Sequence, residues 1–391
     1  MSEIRVDTIS EKTSASGTTV SNLKNPNQPF RNIIINGDMR IAQRATSATT
    51  ISNLTYQTID RLGGMEFSDG TATLEQHSMS AADEATTGQK FAALWKCTGT
   101  DSSIAADQYA GVYHYVEAQN LQHLNYGTSS AKDLTLSFWV KSNTTGTYSI
   151  GMGKSDSTTY YIALTYTINS ADTWEKKVIN ISPTAGSTSL ITGANGGINN
   201  DNGVGFTIFI YTALGTNYHT ASPNTWSASA IYGTSDQPNL MSSTSNNWYI
   251  TGLQLEVGST ATDFEHLPFD VEFHRCQRYC QQHTSTATDY YGYGVGHAAN
   301  GDLNVSHMQL HPNMRTAPTL ETSSTAGDFA IYSHDTGVDA CTSLPVINGT
   351  GDTGSGGVRL QFEATGDQTA SAVHENLSNN AVTFIRFTAE L

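Results

Sequence analysis

Cys276 and Cys280, flanked by His274 and His283, are the residues of this chain that most resemble a metal-ligand set. Cys-x3-Cys on a helix puts both thiols on one face. Structural zinc sites use paired short spacings or two separate knuckles, so the pair reads as small buried hydrophobes capping a domain. His307 and His311 lie four apart in a segment read as a strand, where ~3.3 Å per residue separates them by about 13 Å, too far for one chain to chelate a metal. Glu256 with Glu265, and Asp60 with Glu66, have the residue types of a glycan hydrolase. Asp60-Arg61 reads instead as a structural ion pair. Asn199-Asn200-Asp201-Asn202-Gly203 has the look of a calcium turn but lacks the spaced Asp ligands and terminal Glu; plain turn chemistry covers it. No Gly-x-Ser-x-Gly, His-Glu-x-x-His or phosphate loop occurs. No catalytic residue, metal ligand or cofactor is therefore assigned, and the chain is expected not to be an enzyme. Trp226 and the cluster Tyr290, Tyr291 and Tyr293 are aromatics set among Gly, Ser and Thr. They are candidate glycan contacts, since aromatic rings stack on sugar faces at small entropic cost. They would equally fill subunit interfaces.

The elements that must position these residues read as strands. Residues 31–271 form a train of them. Ile33-Ile34-Ile35 runs into Asn36-Gly37-Asp38, a strong hairpin signal. Further strands are expected at Gln108–Glu117, Leu134–Lys141, Thr147–Gly153, Tyr160–Tyr166, Glu175–Ile181, Gly205–Tyr211 and Trp248–Val257. In Leu134–Val140 one face reads as buried throughout, with the second joining it at Phe138-Trp139-Val140, which predicts a buried Trp139. Many short strands with Gly/Ser/Asn turns argue for a jelly-roll β-sandwich. Residues 272–285 break the pattern: Phe273, Cys276 and Cys280 sit at helical spacing, which predicts a short linking helix. Residues 286–391 are β-rich again, with strands expected at Leu303–Leu310, Phe329–Tyr332, Val358–Ala364 and Val382–Thr388, and Gly354-Ser355-Gly356-Gly357 as a loop tip. The fold class is all-β. Residues 1–30 stand apart. They hold too little apolar surface for a core and end in a Pro/Asn linker. They are either frayed or ordered by another chain; the alternation of Ile4, Val6 and Ile9 favours docking on a partner edge.

Composition narrows the function. Of 391 residues only 14% are charged, against roughly 25% in ordinary soluble proteins. The net charge of −16 repels nucleic acid at long range, and no basic cluster offsets it. No apolar run is long enough to span a membrane. The start Met1-Ser2-Glu3-Ile4-Arg5 has no apolar h-region, so no signal peptide is expected. Four cysteines are too few for a disulfide scaffold at this length.

Five groups of residues carry a resemblance to tail-fibre and related virion proteins of tailed bacteriophages, especially those of marine bacteria including cyanobacteria. Ile4-Arg5-Val6-Asp7-Thr8-Ile9 resembles their N-terminal attachment tag. Asn32–Arg44 with Asp60-Arg61 resembles the opening of their lectin-like jelly roll. Leu136–Ser142 and Thr173–Lys177 resemble its middle strands. Thr251–Gly258, Phe264-Glu265-His266 and Cys276-Gln277-Arg278-Tyr279 resemble its close. Met314–Thr319 and Phe387–Leu391 resemble the appended C-terminal domain. Leu62 and Cys280 depart from the pattern, where Trp and Tyr are usual. The resemblance implies a virion protein made in the host cytoplasm. Ile4, Val6 and Ile9 would attach it to a tail adaptor or nozzle protein. It would form a homotrimer, with residues 286–391 as a tip facing a host polysaccharide. A purely structural tail-associated or head-decorating protein, and a glycan depolymerase tailspike, are the alternatives.

Overall fold

The computed structural model describes residues 30–285, 292–299, 302–333, 337–347, 356–365, 373–378 and 383–391. The attachment residues Ile4, Val6 and Ile9, together with Tyr290, Tyr291 and the tip of the Gly354–Gly357 loop, lie outside them.

The protein is all-β, as the alternating segments require. Two six-stranded antiparallel sheets build the first unit. The first sheet runs Thr49–Thr50, Thr71–Ser78, Phe91–Gly99, Asn247–Val257, Leu134–Ser142, Glu175–Ile181. The second runs Trp226–Ser227, Tyr160–Ile168, Gly146–Lys154, Val204–Leu214, Tyr109–Glu117, Gly63–Phe67. The chain crosses repeatedly between sheets, the wrapping of a jelly roll. One core fills the space between them. Leu134, Leu136, Phe138 and Val140 meet Tyr148, Ile150, Ile162, Tyr166, Phe206 and Ile208 there. Both faces of Leu134–Ser142 are buried at first, with Thr135 0% and Ser137 3% exposed, and burial alternates only from Phe138 onward. Phe138 is wholly buried while Trp139 points outward and is half-buried. The expectation that the second face becomes buried at Phe138-Trp139-Val140 is thus corrected: that face is buried at Thr135 and Ser137 and opens at Trp139 and Lys141.

The hairpin expected around Asn36-Gly37 does not form. Asn36 and Met39 take positive φ and Met39 N–H donates back to Asn36 O, but the flanks pair elsewhere. Ile33 N–H reaches Leu255 O at 2.8 Å and Leu253 N–H reaches Gly37 O at 2.9 Å. A Cβ on Gly37 would lie 2.0 Å from Leu253 O, so this approach needs glycine. The Asn36 side chain accepts from Ile41 N–H and donates to the carbonyls of Ile41 and Asp60. The segment is a buried clamp with side chains substituting for a ladder.

The linking helix runs Phe269–Gln277, earlier than expected, and Cys280–Thr284 is already a strand. Burial of Cys276 and Tyr279 against Ile35 and Ile41 fixes the helix to the first unit. The second unit is again two layers. Cys280–Thr284, Phe384–Thr388 and Thr319–Thr322 form a three-stranded sheet. A seven-stranded sheet runs Gly337–Ala340, Phe329–Ser333, Val373–Ser378, Gly292–Ala298, Leu303–Gln309, Gly357–Glu363, Val346–Ile347. Phe329, Ile331, Leu360, Phe362, Ile385 and Phe387 lie in the core between them.

Candidate functional site

On Tyr109–Glu117, Val112 and Val116 face the core, so Tyr113 and Tyr115 face out. On the neighbouring Val204–Leu214, Phe209 faces out and pairs with Tyr113 in register. The outer face of the second sheet therefore carries a run of rings. Tyr56 and Tyr113 have centroids 5.1 Å apart, Tyr113 and Tyr115 4.8 Å, and Tyr115 and Phe209 6.1 Å. Phe209 meets Tyr232 at 5.7 Å and Tyr232 meets Tyr161 at 5.4 Å. Tyr218 and Tyr232 belong to a loop that covers the far end of this run. The near end opens into a cleft of about 600 Å³ between the two units, walled by Tyr56, Tyr113 and Tyr115 on one side. Glu321, Arg386 and Glu390 form the other wall, with Arg44 between.

The polar groups of the cleft are held by one another. Arg386 donates to Glu321 and to Gln282, both at 2.7 Å, with its guanidinium over the Phe384 ring. Glu390 accepts from Arg44 at 3.0 Å and from Arg61. Arg61 also lies 3.7 Å from the Tyr279 ring centroid and donates to Tyr115 O. Burial raises the Tyr56 and Tyr113 hydroxyls well above the usual phenol range, so both remain O–H donors. The Tyr56 hydroxyl is buried and has no hydrogen-bond partner. Both carboxylates of the cleft, Glu321 and Glu390, are paired with guanidinium groups. The arrangement can stack an apolar ring face and hydrogen-bond its edges.

The residues singled out from the sequence fall elsewhere. Trp226 is 2% exposed in the sandwich core, its indole N–H donating to Ser182 O. Tyr293 is 4% exposed, its hydroxyl donating to Thr383 O. Neither presents a ring to solvent, because each lies on the core side of its strand. Asp60 pairs with Arg44 at 3.9 Å and accepts from Gln43, while Arg61 takes Glu390; the adjacent Asp60-Arg61 pair does not form. Glu256 accepts from Thr262, and Glu265 from Asn32 N–H, so both tie down the chain around residues 31–32 and 262–265. Glu66 accepts from Ser68. His274 is exposed while Cys276 faces inward, and burial pushes both the Cys276 and Cys280 thiols up. All four cysteines are free and buried. Among the described residues, no three His, Cys, Asp or Glu side chains are grouped to hold a metal ion. At the Asn199–Gly203 turn, Asp201 accepts from Gly203 N–H. Nearby, the buried Lys154 ammonium donates to the carbonyls of Asp156, Asn195 and Gly197.

The sequence did carry a signal for the cleft. Tyr109, Tyr113 and Tyr115 all occupy odd positions of one strand, opposite Val112 and Val116. Behind this wall His114 is buried, its Nδ1 2.7 Å from Arg61 O. Burial, with the Arg61 charge adding to it, pushes His114 down to about 3 from the ordinary 6.5. The unfolded chain therefore binds a proton near pH 6.5 that the folded chain refuses until about pH 3. This contribution to stability is complete above pH 6.5 and falls as the pH is lowered, by about 1.4 kcal/mol per pH unit for a single group. We predict that His114→Asn flattens the acid limb of urea midpoint against pH by about one proton. An unchanged slope would show that His114 is not the titrating group.

No protein-family model matches this chain, and no curated protein matches it. Among solved structures it is similar to a family 11 carbohydrate-binding module from Clostridium thermocellum in complex with a β-1,3-1,4-mixed-linked tetrasaccharide. That likeness has 12% identity, covers 57% of this chain and 99% of that one, and has a TM-score of 0.25. The CBM22-1–CBM22-2 tandem domain from Paenibacillus barcinonensis Xyn10C is 11% identical over 88% of this chain and 99% of its own, with a TM-score of 0.25. These likenesses are distant and carry nothing about what this chain binds.

Proposed function

We propose that this protein is a bacteriophage tail-fibre component that recognises a host-surface glycan through the cleft between its two units. The observation that carries the binding reading is the wall of Tyr56 and Tyr115, backed by the buried Tyr113, facing the Arg386–Glu321 and Arg44–Glu390 pairs. Aromatic faces suit the C–H face of a sugar, and fixed donors and acceptors suit its hydroxyls. The tail-fibre reading rests on the resemblance of the segments from Ile4 to Leu391. In that reading residues 1–30 dock on a tail adaptor or nozzle protein, and three copies multiply a weak contact into firm adsorption. The protein then works by binding, with no bond broken.

A purely structural virion role is the second reading. It is favoured by the burial of Tyr113 and by the loop carrying Tyr218 and Tyr232, which already covers part of the ring run. Binding of the full chain to host polysaccharide separates the two. We expect saturable binding that Tyr115→Ala weakens at least tenfold, about 1.4 kcal/mol. Absence of binding, or binding that Tyr115→Ala leaves unchanged, removes the cleft from recognition. Light scattering that finds a monomer at micromolar concentration counts against the trimer. Absence of the protein from purified particles sinks the virion assignment.

A further inference from the structure

The opposite face of the sandwich holds a second opening. A cavity of about 310 Å³ lies on the outer side of the first sheet, with Gln89, Ser137, Trp139, Gly252, Phe264 and Lys176 among its lining residues. Gln89 is 3% exposed, and its side-chain amide lies at the cavity beside Gly252. Ser137 is equally buried and also lines the cavity. Gly252 stands at a bulge in Asn247–Val257 with φ +60°, a conformation that favours glycine. A Cβ there would sit 3.4 Å from the Trp139 ring and 3.6 Å from Gln89 Nε2. Gly252 therefore marks the point on which the indole and the buried amide converge. The Gln89 amide and the Ser137 hydroxyl line the cavity and are available to a ligand or water there.

We propose that this cavity is a carbohydrate site separate from the cleft, holding one pyranose ring stacked on Trp139 and hydrogen-bonded by Gln89 and Ser137. An amide and a hydroxyl each donate and accept, as neighbouring sugar hydroxyls do. An anion would call for donors alone, and the Gln89 carbonyl oxygen works against one. The volume is at the small end of ligand pockets, roughly 300–1,000 Å³, which suits a single ring. Lys176 stands exposed at the rim, where a longer glycan would leave the cavity. The site does not depend on the cleft, and each can fail alone.

Fluorescence reports on this site selectively. Of the five tryptophans, Trp95, Trp174, Trp226 and Trp248 are buried, which leaves Trp139 as the indole open to acrylamide. The full chain is titrated with methyl glycosides of glucose, galactose and mannose and with N-acetylglucosamine, each to about 50 mM, well above the roughly millimolar Kd of a one-ring site. At least one is expected to shield Trp139 from quenching. Gln89→Leu and Ser137→Ala should each weaken that sugar at least fivefold, and Tyr115→Ala should leave the shielding in place. If Gln89→Leu fails to fold, Ser137→Ala decides. Lack of shielding by every sugar overturns the proposal, as does undiminished binding in the folded variants. Shielding lost in Tyr115→Ala but kept in Gln89→Leu assigns the sugar to the cleft instead.

Discussion

Glu390→Ala is expected to destabilise the protein by about 3–5 kcal/mol, although the residue is next to last in the chain. Its carboxylate is shared by Arg44 and Arg61, whose side chains are 3% and 1% exposed. Removing it leaves two buried guanidinium groups with poorer partners. Arg44 keeps Asp60 at 3.9 Å, and Arg61 keeps the Tyr115 carbonyl and the Tyr279 ring. The same chain end is gripped by Arg315, which donates to Ala389 O, Glu390 O and, in the first unit, Asn202 O. Arg278 adds a paired contact from the helix end to the buried Glu117. The junction thus rests on ion pairs out of water, where loss of one partner is costly. Arg386→Ala makes the contrast: its partner Glu321 has a side chain 49% exposed, and an exposed pair contributes about 0–1 kcal/mol. Urea unfolding of both variants checks this. A loss under about 1 kcal/mol for Glu390→Ala would mean that water reaches the two arginines and that the junction is looser than described.

The second large effect separates two adjacent aromatics. Phe138→Ala should cost about 3–5 kcal/mol, and Trp139→Ala clearly less, about 1 kcal/mol. Phe138 is fully buried and meets Tyr166 edge-on at 5.1 Å; Tyr166 in turn stacks on Tyr148 at 5.4 Å and accepts from the Trp248 indole N–H. Removing Phe138 opens a cavity at the centre of this cluster. Trp139 is half-buried on the other face, beside Gln89. Thermal or urea unfolding of the two variants gives the ranking. The reverse order would mean that the strand is turned over, with its register off by one residue.

What the sequence determined by itself is local. Period-2 alternation places Leu134–Ser142, Gly146–Lys154, Tyr160–Ile168 and Glu175–Ile181 as strands within a residue or two of where they lie. Strands such as Thr71–Ser78 and Phe91–Gly99 are not legible in this way; Phe91-Ala92-Ala93-Leu94-Trp95 is apolar on both faces, and such a run does not show which way each side chain points. The helix was legible as a break in alternation. Its end was not, because Cys280–Thr284 becomes a strand by pairing with Phe384–Thr388, a hundred residues on. The tyrosine face of the cleft was legible in the odd positions of Tyr109–Glu117, but its closure into a cleft was decided by tertiary structure. Tyr56, Tyr115, Arg386 and Glu390 come together only because sheet register sets Tyr113 beside Phe209 and the last residues fold back onto Arg61. Charge partners followed the same rule. Asp60 and Arg61 are neighbours in the chain, yet each is paired with a residue distant in sequence. Asp60 and Arg61 lie in a turn, with Arg61 at φ +66°, and a buried charge takes whichever opposite charge the packing brings to it.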